Sequence, residues 1–198
     1  MGVKCFFIQI SFLYLKRNEA LKKIITVLLF LCIIVDQDCH HPTDFLKRAL
    51  EKQKSGDLEG AIADYTIAID EDPKIALSYY NRGVAKQELG DTAGAIEDFT
   101  QAIAVDPNFA LPLNNRGVLK ALEGDFEGAI EDFTHAIKIN SQYASAYFNR
   151  GGVLKDIGEY RKAIMDFKKA MELDTNQSDR AMKEIRICES KIKKRNNV

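Results

Sequence analysis

"ALSYYNRGVAKQELGDTAGAIEDFTQAIAVDPNF", residues 76–109, is the stretch on which the fold turns. Tyr79, Gly83 and Lys86 lie along one helical face, and Gly90-Asp91 interrupts that pattern. Ala95, Ile96, Phe99, Ala102 and Ile103 then repeat the three-and-four spacing of a second apolar face. Asp106-Pro107 stops it, because proline disfavours helical geometry in the residue before it. The stretch therefore reads as two short helices with a tight turn between them.

Working outward, the Asn-Arg-Gly triplet at Asn81-Arg82-Gly83 recurs at Asn115-Arg116-Gly117 and Asn149-Arg150-Gly151, a period of 34. Other columns fall into step: Gly56, Gly90, Gly124 and Gly158; Ala61, Ala95, Ala129 and Ala163; Tyr65, Phe99, Phe133 and Phe167; Ala68, Ala102, Ala136 and Ala170. Four units result, spanning 42–75, 76–109, 110–143 and 144–177, followed by a capping helix and basic tail over 178–198. Glycine in the first helix and alanine in the second let the two axes approach closely. Neither helix can bury its apolar side alone, so stacked neighbours supply the core.

Two further columns change together. Arg48, Arg82, Arg116 and Arg150 precede the first-helix glycine column, and Asp64, Asp98, Asp132 and Asp166 precede the second-helix aromatic. A planar guanidinium holds a carboxylate bidentately, so these columns predict structural ion pairs within a unit or between adjacent units. An acid-base device would need a closed pocket and a nucleophile that the sequence does not offer. After the repeats, Ser178 or Asp179 can cap a helix whose Met182, Ile185 and Ile192 fall near one face and would cover the fourth unit. Lys191, Lys193, Lys194 and Arg195 then solubilise the end or meet an anionic membrane.

With 46% apolar and 29% charged residues, the 198-residue chain can bury a sizeable core. Its net charge of −1 is unevenly spread: residues 42–177 hold 16 basic and 23 acidic side chains. A nucleic-acid surface needs clustered positive charge, which excludes that partner class for the repeats. Cys5, Cys32, Cys39 and Cys188 form no CxxC pair, and neighbouring ligands such as Cys39-His40-His41 rarely converge on one metal. No metal and no cofactor is expected. His135, the one histidine inside the repeats, sits at a variable second-helix position expected to face solvent.

The first 41 residues are a different object. Lys22-Lys23 precedes "IITVLLFLCIIV", residues 24–35, and then Asp36-Gln37-Asp38, the layout of a signal segment and short for a span of about 20 residues. Its distance from Met1 suggests synthesis starting near Leu21; the alternative is two short apolar helices anchoring the chain. No small-x-small cleavage site follows Val35. Cys39 invites comparison with acylated bacterial lipoproteins, although Asp36, Gln37 and Asp38 depart from their pattern. Export or membrane attachment is the expectation, in the periplasm or envelope if the source is bacterial, with a cytoplasmic location as the alternative.

The repeat columns resemble the tetratricopeptide repeat over residues 42–177. The resemblance implies an all-α, right-handed superhelical solenoid of helix-turn-helix units. Departures are mild: Ser141 and Thr175 stand where Pro73 and Pro107 end the earlier units, Ala49 replaces the first-helix glycine, and the arginine and aspartate columns replace leucine and neutral residues. In the family, first helices line a groove that takes peptides. Mapped onto this chain, that groove comprises Thr43, Lys47 and Leu50; Leu77, Tyr80, Asn81, Val84 and Glu88; Leu111, Asn114, Asn115, Val118 and Leu122; and Ser145, Phe148, Asn149 and Asp156. Asn81, Asn115 and Asn149 could satisfy an extended peptide's backbone or hold adjacent repeats together. Tyr80, Phe148, Leu77 and Leu111 would be apolar anchors. The carboxylate-clamp ligand class is disfavoured, since Leu46, Leu50, Leu111 and Asn115 stand where the clamp uses Lys, Asn and Arg. The implied function is a non-catalytic scaffold for a protein or peptide partner, membrane-associated or exported. The alternatives are a cytosolic adaptor or co-chaperone, and an accessory subunit of an enzyme complex.

Overall fold

The computed structural model describes residues 42–196, and the expectations about the membrane segment and Cys39 lie outside them. Among the described residues the chain is all-helical. Four helix pairs follow one another: α1 (Pro42–Lys54) and α2 (Leu58–Glu71), α3 (Ala76–Glu88) and α4 (Thr92–Val105), α5 (Ala110–Leu122) and α6 (Phe126–Ile139), and α7 (Ala144–Asp156) and α8 (Tyr160–Leu173). A 3-10 turn (Thr175–Gln177) leads to α9 (Ser178–Asn196). Each pair packs internally and against the next pair, so the helices stack as a solenoid.

Local chemistry writes each turn. Gly56, Gly90, Gly124 and Gly158 have φ between +84° and +86°, the left-handed conformation that ends a first helix without a Cβ penalty. The next residue's N–H reaches back to the carbonyl of Lys52, Lys86, Lys120 or Leu154 at 2.8–2.9 Å, closing the helix end. In three units that residue is Asp57, Asp91 or Asp125, whose carboxylate caps the second helix by accepting from the N–H of Gly60, Gly94 or Gly128 at 2.9–3.0 Å. The fourth unit has Glu159, which makes no side-chain cap bond and instead lies 3.2 Å from Lys162 Nζ.

Second helices end by a device the prolines obscure. Asp72, Asp106, Asn140 and Asp174 each accept the backbone N–H two residues on at 3.0 Å. This side-chain turn is common to all four units, including the two without proline, so proline is dispensable to the stop.

The core is a row of aromatics. Tyr65, Phe99, Phe133 and Phe167 are fully buried between alanines. A Cβ built at Gly83 would stand 2.8 Å from the Phe99 ring, and one at Gly117 would stand 2.9 Å from Phe133. The first-helix glycine is therefore the space into which the partner ring fits. On α9 the buried residues are Ala181, Ile185 and Cys188, packed with Leu154, Ala163 and Phe167. Met182, expected on that face, is 44% exposed. The spacing 181, 185, 188 defines the stripe, and Met182 lies about 100° around the helix from Ala181.

Candidate functional site

The arginine and aspartate columns meet inside each unit. Arg82 donates from Nε and Nη2 to Asp98 Oδ2 and Oδ1 at 2.9 and 2.7 Å, and Arg116 holds Asp132 at the same distances. Arg48 grips Asp64 at 2.6 Å on both oxygens, and Arg150 grips Asp166 at 2.7 and 2.8 Å. All four aspartates are buried. The third guanidinium nitrogen crosses to the preceding unit: Arg82, Arg116 and Arg150 donate from Nη1 to the hydroxyls of Thr66, Thr100 and Thr134 at 3.0 Å.

Sequence reasoning missed that threonine column and a lysine column one turn beyond the arginines. Lys52, Lys86 and Lys120 place Nζ 2.9–3.0 Å from Asp64, Asp98 and Asp132. Both repeat at 34 residues and were legible as columns. In the fourth unit Leu154 takes the lysine place, and Lys155 turns to Glu184 on α9 at 2.7 Å. At Asp64, the Arg48 hydrogen bond holds the carboxyl below its ordinary range against the opposing effect of burial. A general base works best with a pKa near the operating pH, so this carboxylate is suited to cohesion rather than proton transfer.

The residues mapped to a groove lie on the first helices, Thr43, Lys47 and Leu50 on α1 and the others on α3, α5 and α7. Leu77 and Leu111 are 42% and 39% exposed, whereas Val84 and Val118 are half-buried. Tyr80 packs internally: its ring lies 5.1 Å from Phe109 and 5.9 Å from Phe99 between centroids, with Asn115 beside its hydroxyl. Burial raises its phenol pKa more than Asn115 lowers it. Tyr143, half-buried like Tyr80 and near it, is pushed up to about 12, chiefly by burial. Phe148 packs edge-on against Phe167 at 5.3 Å and carries the Arg180 guanidinium 4.7 Å above its ring. Both aromatics are half-buried, and each also lines a cleft, Tyr80 beside α1 and Phe148 beside α5 and α6.

The amides are likewise engaged. Asn149 Nδ2 donates to Asn114 Oδ1 at 3.0 Å, and Asn114 Nδ2 donates to Asn115 Oδ1 at 3.3 Å. Asn114 is buried and is the middle of a chain of amides running from Asn115 to Asn149. Asn81 differs: it lines a cleft of about 440 Å³ with Leu50, Gln53, Lys54, Tyr80, Val84 and Glu88. Its amide has no side-chain partner among the described residues. A second cavity of about 240 Å³ lies between α5, α6 and α7, walled by Val118, Leu122, Phe126, Phe133 and Phe148. No group of three or more His, Cys, Asp or Glu side chains that could hold a metal occurs among the described residues, and His135 is exposed.

Comparison with known proteins gives the frame for these features. Models of the tetratricopeptide repeat match residues 76–109 and 144–177, and a TPR repeat model matches residues 120–158. No curated protein matches the chain. Among solved structures, the crystal structure of MamA protein is 25% identical with a TM-score of 0.72, over 79% of this chain and 85% of that one. The first TPR of Spaghetti (RPAP3), bound to the HSP90 peptide SRMEEVD, is 25% identical with a TM-score of 0.57, over 59% and 92% of the two chains. YrrB, described as a TPR protein with an unusual peptide-binding site, is 19% identical with a TM-score of 0.67, over 80% and 81%. The repeat models, the 34-residue columns and the stacked helix pairs agree, and the chain belongs to the tetratricopeptide-repeat family.

Proposed function

We propose that the protein is a non-catalytic interaction scaffold that holds an extended segment of a partner protein along α3, α5 and α7, and that residues 1–41 attach it to a membrane or carry it across one. The observation that carries the binding reading is the row of exposed leucines on the groove side: Leu77, Leu111 and Leu122, the last 77% exposed. A solenoid with its own core satisfied has no packing reason to present them in successive units. The peptide-bound Spaghetti repeat and the YrrB peptide site support a peptide or protein partner. The co-chaperone alternative is weaker, because Leu46, Leu50, Leu111 and Asn115 cannot supply the cations of a carboxylate clamp.

The membrane reading rests on the apolar run 24–35 behind Lys22-Lys23. No helix among the described residues is long and apolar enough to cross a membrane, so attachment would fall to residues 1–41. Affinity capture from a detergent-solubilised membrane fraction tests the scaffold. The wild-type chain should retain partners that a Leu77→Asp, Leu111→Asp variant of unchanged helicity loses. An identical partner set in both would remove the groove from the proposal. Fractionation of the full chain tests the location, with recovery in the soluble cytosolic fraction favouring the adaptor reading.

A further inference from the structure

We propose that the cavity between α5, α6 and α7 is an anchor pocket that takes one large apolar side chain of the bound segment, with an adjacent Lys or Arg of that segment meeting Asp156. The inference rests on the groove reading above and adds the partner's chemistry. Its origin is a single column. Leu50, Val84 and Val118 occupy equivalent places on α1, α3 and α5, and the fourth unit has Gly152 there. Unlike Gly83 and Gly151, whose absent side chains make room for a ring, a Cβ at Gly152 would meet nothing within 4 Å. Its lack of a side chain opens space instead of permitting contact.

That space is about 240 Å³, floored by the buried Phe133 and walled by Val118, Leu122, Phe126 and Phe148. Small-molecule sites run to about 300–1,000 Å³, so the pocket is better matched to one leucine, methionine or aromatic side chain. Leu122 and Phe126, 77% and 37% exposed, form a lip that the occupant would cover.

The charge around the pocket selects the neighbour of that anchor. Asp156 lines the pocket with its side chain 58% exposed. Its nearest cation, Lys155 Nζ, is 3.7 Å away and is drawn to Glu184 at 2.7 Å. Glu123 and Glu127, adjacent in sequence to the two lip residues, are also exposed. With Arg180 over the Phe148 wall, it is on the Asp156 side that a basic side chain entering beside the apolar anchor would meet a carboxylate, whereas an acidic one would be repelled there.

The test uses the full chain, purified and immobilised, and a display library of random twelve-residue peptides. Selection should enrich peptides that pair a large apolar residue with a neighbouring Lys or Arg. Gly152→Val, which restores the side chain of the other units, should weaken those peptides at least tenfold while its thermal midpoint is unchanged or higher. Asp156→Lys should shift enrichment toward acidic neighbours. Enriched peptides indifferent to both substitutions but lost on Leu77→Asp would overturn the pocket and leave the groove standing. If the wild-type chain enriches no peptide at all, the pocket and the groove reading fall together.

Discussion

Gly83 and Gly152 are both helical glycines, yet alanine has opposite consequences at the two. At Gly83 the added methyl would run into the Phe99 ring and overpack the core, so Gly83→Ala should cost about 1–3 kcal/mol in urea unfolding. At Gly152 nothing opposes the methyl, and the better helix propensity of alanine should stabilise by up to about 1 kcal/mol. The ion-pair columns allow a similar contrast. Arg82 is 16% exposed and Asp98 is 1% exposed, so Arg82→Ala should cost about 3 kcal/mol, at the low end for breaking a buried pair because Lys86 remains. Arg48, 48% exposed, should matter measurably less. The Asp64 carboxyl is held below its ordinary pKa, so the folded state binds fewer protons than the unfolded chain there. Its contribution is complete above about pH 4 and is lost as pH falls through the folded value. The stability difference between wild type and Asp64→Asn should therefore shrink in acid, as pH-dependent urea midpoints would show. The Arg and Asp columns could be seen in the sequence because each is one residue type at one period. The amide chain could not, because Asn114 has no counterpart in the neighbouring units and its partners come from two helices.

Helix ends carry the next set of differences. Asp91 caps α4 with a hydrogen bond, and Asp91→Ala should cost about 1 kcal/mol. Glu159 makes no such bond at α8, so Glu159→Ala should change the thermal midpoint less. A Cβ at Gly60, Gly94 or Gly128 would collide with the capping carboxylate, which links the Asp cap and the glycine three residues later as one device. The fourth unit lacks both residues together, having Glu159 and Lys162. Element type and turn position followed from glycine and the apolar period. The stop of the second helix was credited to proline because Pro73 and Pro107 are conspicuous, while the Asx turn that all four units share depends on a less conspicuous column of Asp and Asn. The cap stripe was misassigned by one residue at Met182 because an alanine and a cysteine, rather than large aliphatics, mark two of its three buried places.

At the scale of the repeat array, each unit leans on its neighbours, and the last leans on α9. Ending the chain after Gln177 would bare Leu154, Ala163 and Phe167. Hydrogen exchange should then lose protection in α7 and α8 first, while α3 and α4 keep theirs, because coupling in a solenoid passes only between adjacent units. Uniform loss across all four pairs would show a cooperativity that nearest-neighbour packing does not supply.

The backward reach of each arginine has a consequence for how such an array can change length. Every internal junction is a threonine answered by the next unit's arginine, so the junctions are interchangeable. Excising residues 76–109 would set Arg116 against Thr66 with the same pair of groups that Arg82 and Thr66 use now. At the far end, Lys168 stands in the threonine column, and a fifth arginine-bearing unit would find a like charge in place of a hydroxyl. The array can thus lose or gain whole units from within, but its C-terminal unit is written as the last.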